Sequence, residues 1–263
     1  MSQHLSPEQT IGAPQDWHFE SLLRLADTSL ILGHRLSEWT GKAPTLEEEL
    51  AMANVALDLV GQSRALYTRA GEIEGKGRTE DQLAYLRDTH DFRNLLIVEK
   101  ENGDYAVTIA RQVLYSAFAM PFYEALTGSA DDVLAGIAAK AVKEYTYHLR
   151  HGSEWLVRFG DGTEESHERA QDALDTLWMY TGEMFEMDAV DQAALATGVG
   201  VDRAALKSQW DATINEVLAM ATLKRPADGW MISGSRTGTH TEHLGHILAQ
   251  MQFLQRAYPG QSW

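Results

Sequence analysis

The chain has 263 residues, room for one large domain or two small ones, and 44% of them are hydrophobic, ample for a packed core. Lysine and arginine number 22 against 38 aspartates and glutamates, and the net charge of −16 repels nucleic acid and anionic membrane surfaces while favouring a basic protein partner. Cysteine is absent, which excludes disulfides, thiolate metal sites and cysteine nucleophiles. No basic patch leads into an apolar run near Met1–Asp16, and no stretch approaches the roughly 20 apolar residues of a membrane span. A cytoplasmic protein is the expectation.

Apolar residues recur at spacings of three and four rather than two, so the chain reads as helical nearly throughout. Residues 1–16 read as a flexible extension. A first helix is expected over Trp17–Trp39, with Leu22, Leu25, Ser29, Leu32 and Leu36 inward and Gly41 just past its end. Thr45 with Glu48 three residues on forms a capping box that opens a second helix reaching Glu74. Its small residues Ala51, Ala53, Ala56 and Gly61 allow close helix approach. A break at Gly75–Arg78 leads to short helical pieces over Asp81–Arg87 and Phe92–Val98, closed by the turn Glu101-Asn102-Gly103-Asp104.

A third long helix is expected over Tyr105–Leu126, kinked at Pro121. Ser129 caps a fourth that runs to Phe159 and ends at Gly160-Asp161-Gly162. Two long helical hairpins joined by a crossover of some thirty residues make an all-α, ferritin-like four-helix bundle, in which the second and third helices run parallel. Further helices follow over Glu165–Phe185, Asp202–Leu223 and His240–Arg256, with a short piece at Asp188–Ala196 and a glycine-rich loop from Gly229 to Gly238. No linker divides the chain, so 1–263 reads as one ferritin-like domain with additional C-terminal helices.

The two hairpins echo each other. Asp58-x-x-x-Gln62-x-Arg64 in the second helix is mirrored by Glu144-x-x-x-His148-x-Arg150 in the fourth at a constant offset of 86. Such residues are common on helices, so the echo alone does not establish a duplication. A di-iron bundle takes one Glu from each of two helices and a Glu-x-x-His pair from each of the other two. Here Tyr145 stands three residues before His148, and Leu59 and Gln62 hold the mirrored places. The middles of the first and third helices, Ser29–Leu32 and Tyr115–Ala119, carry no acid. Only Glu164–His167 has an acid three positions before a histidine, in a polar stretch that reads as a solvated helix start. Too few inward carboxylates remain to offset the charge of two irons in a dry core. Asp58, Gln62, Glu144 and His148 are expected instead to form a buried hydrogen-bonded cluster, with Glu144–His148 as a structural pair.

His240, His243 and His246 recur at threes, nearly on one helical face, and offer a second candidate. The order is not that of a His-Glu-x-x-His zincin. One reading makes these histidines hydrogen-bonding groups at a helix start or a subunit contact; the other makes the chain a metal-binding helical protein acting alone. The seven tryptophans are scattered and suit packing. There is no Gly-x-Ser-x-Gly elbow and no strand to precede a phosphate loop.

Three blocks, LSEWTGKAPTLEEELAMANVALDLVGQSR (36–64), KAVKEYTYHLRHGSEWLVRFGDGTEES (140–166) and GTHTEHLGHILAQMQFLQRAYPGQSW (238–263), closely resemble the C subunits of bacterial ring-1,2-phenylacetyl-CoA epoxidases. The similarity runs from about Ser21 to Trp263. The resemblance implies a subunit of a multicomponent monooxygenase of phenylacetate catabolism, without catalytic activity of its own. In that family a paralogous A subunit holds the di-iron centre and binds phenylacetyl-CoA, and a reductase with FAD and a 2Fe-2S cluster brings electrons from NADPH. The expected partners are the A subunit and the other subunits, with a homodimer when the chain is alone. No cofactor is expected in this subunit. Leu59, Gln62 and Tyr145 then hold places where a catalytic paralogue has Glu, His and Glu, and with Asp58, Glu144 and His148 they mark a degenerate metal site. The PGQSW tail reads as an interface anchor through Trp263.

Overall fold

A computed structural model of the protein describes residues 15–261, and among these every regular element is a helix. The first hairpin is α1 (Trp17–Ser37) and α2 (Leu46–Glu74); the second is α5 (Tyr105–Leu126) and α6 (Asp132–Gly160). Between them run α3 (Glu80–Tyr85), a 3-10 turn at Thr89–Asp91 and α4 (Leu96–Glu99). After α6 come α7 (Glu164–Trp178), α8 (Ala189–Ala196), α9 (Lys207–Met220), α10 (Glu242–Met251) and α11 (Phe253–Ala257). The extension expected over 1–16 lies outside the described residues except for Gln15 and Asp16, and Trp263 of the tail lies outside them too.

Each hairpin packs on itself, and the two meet where α2 faces α6. Hydrogen bonds join residue 58 to 148 and residue 62 to 144, so α2 and α6 run antiparallel. Because α5 returns against α6, it runs parallel to α2, as the crossover requires. The echo extends to the helices themselves: α2 and α6 each have 29 residues, and the offset of 86 carries Leu46 to Asp132 and Glu74 to Gly160. This is the ferritin-like bundle expected.

The later helices have a physical reason. α5 is largely apolar and almost all of its residues are buried, and a helix of that kind must be covered all round. Cover comes from α6, α7 and α9. The buried apolar side chains form one cluster from Phe19 to Leu248. A fully buried leucine such as Leu22, Leu59 or Leu66 contributes about 1.5–3 kcal/mol, so the packed core is the main source of the bundle's stability.

Several local expectations are corrected. The Thr45 hydroxyl accepts from the Glu48 amide, but Glu48 does not return the bond. Its buried carboxylate is taken instead by the Tyr105 hydroxyl at 2.5 Å and by His151 Nε2 at 2.9 Å. The cap of α6 is Asp131 rather than Ser129, because the Asp131 carboxylate reaches the Val133 and Leu134 amides while the Ser129 hydroxyl turns to the Val199 carbonyl. The third long helix, by contrast, spans Tyr105–Leu126 as expected, with Pro121 inside it. α7 stops at Trp178, where the Thr181 hydroxyl takes the Trp178 carbonyl, and 182–185 is a separate 3-10 turn. α9 starts at Lys207, after a 3-10 turn over Ala204–Leu206. Gly75, at φ 69°, closes α2 in the left-handed conformation that glycine adopts without a Cβ penalty.

Buried charge fastens α8 to α1. The Arg24 guanidinium, 3% exposed, donates to Asp188 at 2.8 and 2.6 Å and to Asp191 at 2.9 Å. Burial pushes the Asp188 carboxyl up, but the Arg24 hydrogen bonds and charge outweigh it and hold it well below the ordinary aspartate range. A depressed folded value means a contribution fully present above the unfolded pKa of ~3.9 and lost as pH falls through the folded value. The thermal midpoint should therefore fall on acidification below about pH 4. Asp188→Asn should lower the midpoint at pH 7 and flatten that acid limb, and an acid limb identical to wild type would contradict the assignment.

Candidate functional site at the centre of the bundle

At the level of the echoed motifs, α2 and α6 present Asp58, Leu59 and Gln62 against Glu144, Tyr145 and His148. The expected Glu144–His148 pair does not form. Instead the bonds cross between helices: the Gln62 Nε2 amide donates to Glu144 Oε2 at 2.7 Å, and the His148 Nε2–H donates to Asp58 Oδ2 at 3.0 Å. The reason lies in helix geometry. Residues four apart on one helix stack along the same face, while their side chains extend toward the facing helix, where an oppositely sited partner is nearer.

The two bonds are related by the same offset of 86. Adding it to Asp58 and Gln62 gives Glu144 and His148, so the bond Gln62–Glu144 maps onto the bond His148–Asp58. In both, the carboxylate comes from the first motif position and the N–H donor from the second. Two further atoms, Gln62 Oε1 and His148 Nδ1, share this relation as well, since both are buried without a hydrogen-bond partner. The Lys140 ammonium, 3.1 Å from Glu144 Oε1, adds a cation on one side only. Burial is graded across the cluster: the His148 side chain is 0% exposed, Glu144 11% and Asp58 36%, so the carboxylates reach toward solvent while the imidazole is enclosed.

Leu59 and Tyr145 fill the space between the four helices, and both are fully buried. The Tyr145 ring stacks on Tyr123 at 5.2 Å between centroids, meets Tyr115 edge-on at 5.9 Å and lies 5.2 Å from the His148 ring. Its hydroxyl is 3.5 Å from that of Tyr115. Burial pushes the Tyr145 hydroxyl far up, and the neighbouring Tyr115 and Tyr123 push the same way against a smaller opposing effect of Ser29. These tyrosines keep their protons. From α1 and α5 the site thus receives Ser29, Tyr115 and Tyr123 and no carboxylate. Tyr123 was not singled out in the sequence; its only signal is its place two residues after Pro121 on a largely apolar helix.

This donor set does not fit a di-iron centre. Two carboxylates and one imidazole are present, each carboxylate is bound to a partner, and aromatic carbon takes the central volume. Among the described residues no group of three or more His, Asp and Glu side chains is placed to hold a metal ion. The motif positions hold chemistry suited to joining helices: two polar bonds at the α2/α6 seam, closed by an aromatic core. His148→Ala is expected to cost about 1–3 kcal/mol, since it removes a buried ring and its bond to Asp58. Urea unfolding checks this, and an unchanged midpoint would deny the histidine a structural role.

The second candidate is taken apart by the fold. His240 precedes α10, so the three histidines do not share one helical face. Both His240 ring nitrogens are occupied, Nδ1 by Glu99 Oε2 at 2.9 Å and Nε2 by the Phe92 carbonyl at 2.9 Å. His243 lies 3.5 Å from Glu101, and His246 is exposed. His240 is a clamp between the C-terminal helices and the crossover. His167, beside Glu164, bonds the Gly160 carbonyl at 2.7 Å at the start of α7.

Among the described residues no helix is long and apolar enough to cross a membrane. A sequence profile of the phenylacetic acid catabolic protein family matches residues 1–263. The chain is 46% identical to the C subunit of the 1,2-phenylacetyl-CoA epoxidase of Escherichia coli (strain K12), over 92% of this chain and 97% of that one. The chain therefore belongs to the phenylacetic acid catabolic protein family.

Proposed function

We propose that this member of the family is a structural, non-catalytic subunit of a multicomponent di-iron monooxygenase that epoxidises phenylacetyl-CoA in the cytoplasm. It pairs with a paralogous catalytic subunit and holds it in its working form. The single observation that carries this reading is the pair of crossed bonds, Gln62–Glu144 and His148–Asp58, at the place where a ferritin-like oxygenase keeps its irons. Leu59 and Tyr145 complete a degenerate site, so the metal, the substrate and oxygen activation belong to the paralogue. Electrons reach that paralogue from an NADPH-dependent reductase with FAD and a 2Fe-2S cluster. The identity to a protein named as one subunit of an epoxidase supports the same reading. The continuous core from Phe19 to Leu248 supports treating the whole chain as one ferritin-like domain.

The test is co-expression with the catalytic paralogue. A stable complex that turns over phenylacetyl-CoA with its reductase, against a paralogue that is inactive or insoluble alone, is the expected result. Equal turnover by the paralogue without this chain would refute the supporting role.

A further inference from the structure

Two arginines share a cavity that no acid lines. The space, of about 10 Å³, lies beside α1 and α5, and the residues around it include Arg203, Arg236, Tyr115, Tyr123, Phe118 and Phe122 but no aspartate or glutamate. A second cavity of about 30 Å³ shares Leu25, Phe122 and Arg203 with the first. It reaches Ser21 and Asp191, which are partly exposed, and so leads toward solvent.

The residues of the inner cavity bring more donors than acceptors. A guanidinium carries five N–H groups and a fixed positive charge. Arg203, 4% exposed, gives its Nε–H to the Met184 carbonyl. The carboxylate it approaches, Asp191, stays 3.6 Å from Nη1 and is already bonded to Arg24 at 2.9 Å. Arg236 donates to the Arg93 carbonyl at 2.7 Å and forms no ion pair among the described residues. Glu183, the other acid close by, is taken up by the Leu96, Gly234 and Ser235 amides. The Tyr145 hydroxyl donates to that of Tyr115 at 3.5 Å, which leaves the Tyr115 proton to be donated in turn. Tyr123 is 1% exposed, and its hydroxyl has no hydrogen-bond partner. Burial and then the charge of Arg203 push the Arg236 guanidinium down to about 9, as expected of like charges held close together out of water.

We propose that this cavity binds a single chloride ion, held by the Arg203 and Arg236 guanidinium groups with the Tyr115 hydroxyl. Size sets the class of ligand. A space of this volume is about the least that takes one water-sized atom, so sulfate, phosphate and carboxylates are too large for it. Charge separates chloride from water. A buried charge is costly unless a counter-charge accompanies it, and water would leave the two guanidinium groups to repel each other. The ion joins three parts of the chain: α5 through Tyr115, the approach to α9 through Arg203 and the loop before α10 through Arg236. Chloride then sets how firmly the C-terminal helices are held to the bundle.

The test is the thermal midpoint of the full-length chain in sodium chloride against sodium gluconate at one ionic strength, which keeps general screening equal and leaves specific binding as the difference. The midpoint should be about 2–4 °C higher in chloride, and bromide should act as chloride does. Arg236→Gln should remove the difference, while Arg158→Gln, at an exposed arginine of α6, should keep it. Crystals of wild type grown in bromide should show an anomalous-scattering peak between Arg203 and Arg236, a readout that stands even if Arg236→Gln does not fold. Equal midpoints in chloride and gluconate would overturn the site, as would a difference that Arg236→Gln retains. Bromide peaks confined to the molecular surface would overturn it too and leave water as the occupant.

Discussion

Asp27→Ala is expected to destabilise the protein by about 3–5 kcal/mol, the usual cost of leaving one member of a buried ion pair uncompensated. Asp27 on α1 is 0% exposed and accepts from the Tyr67 hydroxyl, from both terminal nitrogens of Arg87 and from the Arg93 amide at 2.8 Å. Arg87 is 6% exposed, lies 4.3 Å above the Phe92 ring and donates to the Leu83 carbonyl at 2.6 Å and the Asp91 carbonyl at 2.9 Å. One carboxylate thus ties α1 to α2 and to the crossover that sets the second hairpin in place. Burial acts to lower the Arg87 pKa, but Asp27 outweighs it and holds the guanidinium charged. Without Asp27 that charge stays in the core with no counterion. A double change, Asp27→Ala with Arg87→Met, should recover much of the loss because it removes the stranded charge. Urea unfolding of the three variants measures this; a loss below about 1 kcal/mol for Asp27→Ala would show that the network is not what fixes the crossover.

The second large effect is steric. Gly160 ends α6, and a Cβ there would lie 1.9 Å from the Ala221 carbonyl oxygen and 2.8 Å from its carbon. The obstacle is backbone, which cannot swing aside. That backbone is also fixed, since Thr222 sits at φ 56° and its hydroxyl donates to the Gly160 carbonyl at 3.0 Å. Gly160→Ala must therefore push the end of α9 off α6, at a cost of about 1–3 kcal/mol or more. Hydrogen exchange should rise selectively at the end of α9 and over 221–224. Unchanged exchange there, with an unchanged midpoint, would contradict the contact.

What could be read without the fold follows from what sequence pattern encodes. The 3.6 period and its breaks locate α2 and α5 to their ends, because Thr45, Gly75, Asp104 and the residues after Leu126 are local signals. The offset of 86 between Asp58 and Glu144 was visible too, and the equal lengths of α2 and α6 now give it structural meaning. Partner choice was not legible. Glu144 and His148 are one turn apart, and only the position of α2 shows that each bonds across the seam rather than to the other. Glu48 looked like half of a capping box, yet Tyr105 and His151, distant in sequence, compete for it. The histidines at 240, 243 and 246 have helical spacing, but the helix begins at Glu242 and leaves His240 to the buried Glu99. In each case the local rule held as far as local contacts reach and was overridden by a group from another element.

In the proposed function the crossed pairs at the α2/α6 seam stand in for a metal centre, and iron belongs to the paralogue. Counting iron and zinc per polypeptide in the purified chain, alone and in complex with the catalytic paralogue, tests it most directly. A well-folded chain with near-zero metal by itself is expected, together with an iron-bearing complex in which His148→Ala leaves the iron content unchanged. Stoichiometric metal in the isolated chain, lost on substitution of His148, Asp58 or Glu144, would contradict it.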